Sequence, residues 1–385
     1  MLVENPTVLI EISGHIDCKW NNNITNTFNQ GKRGSKTNSV VKISFMGKRF
    51  LWVLIFASGI KAVAQQQPHY TQYVMNQYII NPAITGIENY TDIKFSHRHQ
   101  WAGFEGAPVT SYFTAHKSFG GANMKGNVTS VGIEEGSNPR GKNYWDQYTA
   151  ADPHHGIGIQ LLNDKMGPLN NLSASLTYAY HLGLTAQTSI AAGFGLGISQ
   201  MTLDANKLNF GTISIDPAVY GSGELRKTRP NLSAGLYLYS ASFFAGVSAQ
   251  QIIPQRLSFA NDSIAYKGNS LVPHLFMTAG YRMLVGDDFN FIPSVMIKSM
   301  NAVPIQVEFN GKLQYRDVAW IGASYRSADA FAGMLGINLS NKVTMGYSYD
   351  YTTSRLNPYT GGSHEFLLGF IVGNGYDDSC PRNVW

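Results

Sequence analysis

From about residue 90 onward the chain alternates apolar and polar residues with a period of two, in segments of roughly ten residues. In 172–182, Leu172, Ala174, Leu176, Tyr178, Tyr180 and Leu182 share one face, and Ser173, Ser175, Thr177, Ala179 and His181 share the other. Ile190, Ala192, Phe194, Leu196 and Ile198 likewise alternate with Ala191, Gly193, Gly195, Gly197 and Ser199. In 305–315, Ile305, Val307, Phe309, Leu313 and Tyr315 oppose Gln306, Glu308, Asn310, Lys312 and Gln314. In 343–351, Val343, Met345, Tyr347, Tyr349 and Tyr351 oppose Thr344, Gly346, Ser348 and Asp350.

With weaker cases included, the pattern predicts fourteen strands. They cover 90–100, 108–118, 155–163, 171–182, 188–200, 230–240, 242–252, 274–285, 288–299, 304–315, 318–327, 329–339, 342–352 and 364–372. Each is long enough to cross a bilayer when tilted, which takes about 9–11 residues. The fold class this implies is all-β, an antiparallel transmembrane β-barrel of about 14 strands. An even count lets such a barrel close with both chain ends on one side. A soluble all-β protein with one wet face would carry more Lys and Glu on that face. Here Ser, Thr, Gly, Asn and Gln dominate the polar faces, with scattered charges.

The connections give a second test, because outer-membrane barrels alternate short periplasmic turns with longer external loops. Long stretches near 201–229, 253–273 and 353–363 fall on the parity expected for external loops. One gap breaks the rule: 119–154 should be short and is the longest of all. It is either an insertion at the periplasmic end that meets a partner, or a sign that the register is off there by two strands.

A leader precedes the strands. Met46-Gly47-Lys48-Arg49 is followed by the apolar run Phe50 to Ile60, then by Ala62-Val63-Ala64 before Gln65. A charged start, a short apolar run and an A-x-A site in that order make a cleavable signal peptide. The run is too short to span a bilayer as a helix. Residues 1–45 are polar and Asn-rich, so Met46 is read as the initiator and 1–45 as a spurious or disordered extension. The expected divisions are 46–64 as signal peptide, 65–89 as an N-terminal plug or docking segment, 90–372 as barrel and 373–385 as tail.

Composition agrees with a lipid-facing exterior: 14% of residues are charged, well below the roughly 25% of soluble domains. The net charge of +5 arises in the leader. Removing the eight basic and three acidic residues of 1–64 leaves 21 of each, so the charge gives no reason to expect nucleic-acid binding. Cys18 and Cys380 are the two cysteines, and only the second follows the leader, which excludes a disulfide framework.

Candidate chemistry is sparse. Gly193-Phe194-Gly195-Leu196-Gly197 lies inside a strand instead of at a strand-to-helix turn, so it reads as small residues on a barrel face. His97 and His99 share one strand face and His154-His155 precede another strand, short of the three or four convergent ligands of a metal site. Asp287-Asp288 and Asp377-Asp378 suit a turn and the tail. There is no Gly-x-Ser-x-Gly elbow, and the chain reads as non-enzymatic, without cofactor or metal.

The segment before the first strand carries Gln72-Tyr73, then Asn76-Gln77-Tyr78, then Asn81-Pro82-Ala83-Ile84-Thr85-Gly86. The first strand runs into Arg98-His99-Gln100-Trp101-Ala102-Gly103-Phe104-Glu105-Gly106-Ala107-Pro108. Further marks are Pro293-Ser294-Val295-Met296-Ile297-Lys298, Ser324-Tyr325-Arg326, Gly346-Tyr347-Ser348-Tyr349-Asp350, Gly362-Ser363-His364-Glu365 and Cys380-Pro381-Arg382. This succession, over 66–385, resembles the PorP/SprF family of the type IX secretion and gliding machinery of the Bacteroidetes. Residues 1–45 and the middle of 120–153 depart from it.

The resemblance implies an outer-membrane protein that helps secreted cargo with a C-terminal sorting domain reach or stay on the surface. Its partners would be outer-membrane lipids, type IX secretion subunits and that cargo. On this reading Tyr73, Asn76, Asn81, Pro82, Gly86, Arg98, Trp101, Gly103, Pro108, His364 and Glu365 are the family-motif and docking candidates. Residues 66–89 could plug the lumen, cap its periplasmic end or form a partner surface. Tyr70, Tyr73, Tyr78 and Trp101 suit a partly wet interface, but packing inside the barrel or an aromatic girdle accounts for them equally well. A passive channel or small-solute transporter is the alternative function. A charged, open lumen would favour it, whereas a lumen filled by 66–89 and inward side chains would favour docking.

Overall fold

In the computed structural model, residues 68–120, 138–208, 224–253, 255–256, 270–271, 273–300, 303–340 and 342–373 are described. The predicted signal peptide, residues 1–45, Cys18, Cys380, Asp377, Asp378 and most of the tail lie outside them.

The strands are β1 (Thr91–His99), β2 (Val109–Phe119), β3 (His154–Met166), β4 (Leu169–Thr185), β5 (Thr188–Asp204) and β6 (Glu224–Ser240). They continue as β7 (Phe243–Gln250), β8 (Gln255–Arg256), β9 (Ser270–Leu271), β10 (His274–Tyr281), β11 (Met283–Val285) and β12 (Phe289–Met300). The last five are β13 (Val303–Tyr315), β14 (Ala319–Arg326), β15 (Ala330–Ser340), β16 (Val343–Thr352) and β17 (Ser363–Val372). β8 and β9 pair only with each other, and β10 and β11 run as one stave along β12, interrupted at Arg282. Fourteen antiparallel staves remain. They form a ring because β10 pairs with both β7 and β12, and β1 pairs with β17 from Thr91↔Val372 to His99↔His364.

The two faces of each strand part as the alternation requires. On β1, Asp92, Lys94, Ser96 and Arg98 are buried inward while Phe95 is exposed outward. On β13, Glu308, Asn310, Lys312 and Gln314 point inward and Ile305 and Phe309 outward. Leu176, Leu196, Ile321, Phe331 and Phe366 continue the apolar exterior around the ring. Backbone pairing without an open edge and an apolar outer belt are the conditions for spanning a bilayer with strands. The protein is a membrane-spanning β-barrel.

The end of the barrel bearing Thr91 and Val372 is the terminal end, and the other is the far end. β2 and β3 pair directly, from Val109↔Lys165 to Phe119↔His155, so they are neighbours in the ring and the predicted register is not off by two strands there. The described part of that segment carries helix α1 (Lys142–Gln147) at the terminal end. β4, β5 and β6 each run 17 residues, past the predicted limits, because polar alternation continues through Asn170, Thr202 and Lys227 beyond the apolar belt.

Candidate functional site: the lumen and its internal segment

Residues 68–90 lie inside the barrel. They hold three 3₁₀ turns, Thr71–Val74, Gln77–Ile79 and Pro82–Ile84. The short helical turns follow from a sequence without a sustained period, punctuated by Asn81-Pro82 and by Gly86 at φ 73°. Asn81 caps the third turn, its side chain accepting from the Ala83 amide at 2.9 Å, with Pro82 at the first helical position. The segment begins beside residues near the far end and reaches the terminal end at β1, so it runs along the lumen instead of capping one mouth.

Its beginning is held by a buried charge cluster. The Thr71 hydroxyl shares its proton between the Asp350 carboxylate oxygens at 2.9 and 2.7 Å, and it accepts from Arg98 at 3.0 Å and Arg326 at 3.2 Å. The amides of Thr71 and Gln72 donate to Glu365 Oε2 at 2.8 and 3.3 Å. Arg98 bridges Asp350 at 2.8 Å and Glu365 at 3.3 Å, and Arg326 bridges Glu308 at 2.9 Å, Asp329 at 3.0 Å and Asp350 at 3.4 Å. Ser96 and Ser324 donate to Glu365 and Glu308. Buried ions repay their desolvation only when paired and hydrogen-bonded like this, so the cluster fixes where Thr71 sits more than it adds stability.

Further along, the segment is tied to the wall by polar contacts. Asn310 donates to the Tyr73 hydroxyl at 2.5 Å, Asn76 donates to Thr114 at 3.0 Å, and the Tyr78 and Thr177 hydroxyls meet at 2.6 Å. Gln160 donates to the Tyr78 carbonyl, Ser248 and Gln250 to the Ile80 carbonyl, and Asn81 to the Leu236 carbonyl. With the charge cluster, these bonds reach ten staves. Tyr70, Tyr73, Val74, Met75, Ile79 and Ile80 share an apolar cluster with Tyr112, Phe276, Met296, Trp320, Met334 and Leu367.

The terminal end is packed most closely. His181 Nε2 faces the Thr85 carbonyl at 2.9 Å and His154 Nε2 the Gly86 carbonyl at 3.1 Å, with the two rings stacked 4.5 Å apart. A Cβ on Gly156 would overlap the Thr85 carbonyl. One on Gly193 would fall 2.5 Å from the Pro82 carbonyl oxygen and 2.6 Å from Ala83 Cα. At Gly193 the glycine run is thus small for a reason, because the wall must admit the segment's backbone, whereas Gly195 and Gly197 lie against the neighbouring strands. Tyr144, Tyr148 and Ala151, from the β2–β3 connection, pack with Tyr78, Ala83, Ile84, Ile87, Tyr237 and Tyr239. Burial pushes the Tyr148 phenol well up, with Tyr144 and Tyr239 adding to the effect, so it remains protonated.

Of the sequence candidates, Tyr73, Asn76, Asn81, Pro82, Gly86, Arg98 and Glu365 converge in this interior. Tyr70, Tyr73 and Tyr78 are buried, so they pack inside the barrel. His364 points outward and meets the Tyr347 hydroxyl at 2.8 Å, away from neighbouring Glu365. Trp101, Gly103 and Pro108 form the β1–β2 loop at the far end, where Trp101 takes φ 51° and its amide donates to Ser363 Oγ at 3.1 Å. The cluster members Thr71, Glu308, Arg326 and Asp350 were not among the candidates. Arg326 and Asp350 stood in the motifs that carry the family resemblance, Glu308 was a charge at an inward phase on a polar strand face, and for Thr71 there was no signal. His97 and His155 lie on outer faces, hydrogen-bonded to Ser111 and Tyr178. Among the described residues no group of three His, Cys, Asp or Glu could hold a metal ion.

Comparison with known proteins gives one family model, "Type IX secretion system membrane protein PorP/SprF", which matches residues 62–370. No curated protein matches the sequence. Similar solved structures include the outer membrane protein Omp33 of Acinetobacter baumannii, at 9% identity and TM-score 0.40, covering 74% of this chain and 99% of that one. A Pseudomonas aeruginosa FadL homologue is 10% identical with TM-score 0.39, covering 81% and 96%. The CymD monoaromatic hydrocarbon channel is 10% identical with TM-score 0.40, covering 80% and 94%.

Proposed function

The chain belongs to the PorP/SprF family of type IX secretion system membrane proteins, and we propose that it mediates export or surface anchoring of a cargo protein without catalysing a reaction. The observation that carries this reading is the lumen, filled lengthwise by residues 68–90 and hydrogen-bonded to ten staves. A diffusion channel needs a continuous wet path, whereas here apolar and ionic packing occupies it. A filled barrel is a rigid membrane platform whose exposed ends are free to recognise proteins.

The strand ends joined by the long connections, Asp204 and Glu224, Gln250 and His274, and Thr352 and Ser363, lie at the far end, which marks it as the outer end by the usual asymmetry of such barrels. On that reading the β1–β2 loop with Trp101, Gly103 and Pro108 belongs to the surface offered to cargo, and 120–153 to the surface offered to periplasmic subunits. Arg98, Glu365 and the internal segment then act by holding the shape of the platform, not by touching the cargo.

The test is deletion of the gene followed by mass spectrometry of surface and medium proteins. Loss from the surface of one or a few large proteins with C-terminal sorting domains, while others persist, is expected. Unchanged surface proteins with altered solute uptake would overturn the reading in favour of a channel.

A further inference from the structure

Near the terminal end of the lumen the charges do not balance as they do around Thr71. Lys312 on β13 is almost wholly buried, and none of the ion pairs among the described residues includes it. Its ammonium lies over the Trp320 ring, 5.9 Å from the centroid. Arg140 and Arg282 are within its electrostatic range, with Lys94 further round the same interior. Both guanidinium groups lie against Tyr144, at 5.2 and 5.7 Å.

The strand register brings one more group to the same place. Asn290 on β12 stands opposite Gln314, and Ile292 opposite Lys312, so Asn290 and Lys312 are inward diagonal neighbours. Asn290 is fully buried, and neither its amide nitrogen nor its amide oxygen has a hydrogen-bond partner among the described residues. Arg140 Nε and Nη2 are in the same condition, while its Nη1 reaches the Tyr144 hydroxyl at 3.3 Å. The carboxylates within reach are Asp317, which accepts from Gln314 at 2.7 Å, and Glu88. Beside the Lys312 ammonium, buried donor atoms are therefore left over on two further elements, Asn290 Nδ2 on β12 and Arg140 Nε and Nη2 on the β2–β3 connection.

Buried polar atoms are nearly always satisfied, and buried cations are paired or bound to an anion. We propose that this end of the lumen binds a small tetrahedral oxyanion of the phosphate or sulfate class, held by Lys312, Asn290 Nδ2 and the Arg140 guanidinium. Lys312 contributes the point charge, and Arg140 offers two N–H groups of the planar fork suited to such oxygens. Because Arg140 comes from the β2–β3 connection, the anion joins that connection to the barrel wall. It thereby fixes a surface at the terminal mouth.

The experiment uses the full mature protein folded in detergent, with inorganic phosphate as the probe and chloride and acetate at equal ionic strength as controls. Phosphate should raise the melting temperature saturably, by about 2 °C or more. Ion chromatography after denaturation should find close to one phosphate or sulfate per chain. Lys312→Gln should abolish both effects while keeping the heat-modifiable gel mobility of a closed barrel. Should that variant fail to fold, Asn290→Leu serves instead, with at least a tenfold weaker phosphate dependence expected. An equal response to phosphate in wild type and variant, an equal response to acetate, or no response at all overturns the proposal.

Discussion

Thr71 and Asp350 lie 279 positions apart in sequence and meet in the lumen, the hydroxyl donating to both carboxylate oxygens at 2.9 and 2.7 Å. The same hydroxyl oxygen accepts from Arg98 and Arg326, so one small side chain stands at the centre of the cluster. Thr71→Val keeps the shape and removes the hydroxyl. The expected cost is about 1–3 kcal/mol, because the groups around it lose a buried partner. Urea unfolding in detergent micelles measures it, and a variant as stable as wild type would show that the cluster closes without Thr71.

Arg98→Ala should be worse. It leaves Asp350 and Glu365 buried with one cation fewer, and breaking a buried pair in this way costs about 3–5 kcal/mol. The double variant Arg98→Ala with Glu365→Gln should recover part of that loss, since the uncompensated charge is then removed as well. A double-mutant cycle reads the coupling directly, and simple additivity would argue against the pairing.

The glycines facing the internal segment predict a steric series. Gly156→Ala sets a methyl group into the Thr85 carbonyl, and Gly193→Ala sets one against Pro82 and Ala83. Neither neighbour is a flexible side chain, so the segment or the wall must move. Both variants should melt lower than wild type and expose residues 68–90 to protease. Gly333→Ala, where a Cβ meets nothing within 4 Å, should behave as wild type. Protection of the segment in all three would show that it is not held by the wall.

Much of the barrel was legible because its physics is periodic. Alternation located the fourteen staves, and on β13 it even sorted Glu308, Asn310 and Lys312 to the inside. The outward run past the membrane on β4 to β6 was missed because polar–polar alternation carries no hydropathy signal. The charge cluster was half legible: Arg98, Arg326, Asp350 and Glu365 stood in recognisable motifs, but their convergence on Thr71 depends on how fourteen staves close, which no local pattern contains. The path of 68–90 was illegible for a related reason. Its side chains are buried by a wall built from later residues, so the segment has neither an apolar stripe nor a period of its own.

The lipid face makes a prediction separable from all of these. Leu176 sits near the middle of β4 and is 63% exposed, whereas its neighbour Thr177 is 2% exposed and hydrogen-bonds Tyr78 and Thr85. Leu176→Arg places a charge in the outward apolar belt, for an expected cost of up to about 2–4 kcal/mol in liposomes. In detergent-free water no such penalty would distinguish an outward Leu from any other exposed position. Thr177→Val loses the contacts to Tyr78 and Thr85 and should cost about 1 kcal/mol in either medium. Folding titrations of both variants in liposomes and in micelles separate the two effects: the Leu176 penalty should scale with bilayer thickness, and the Thr177 penalty should not. A Leu176→Arg protein that inserts as readily as wild type would mean that this face of β4 is covered by protein and not by lipid.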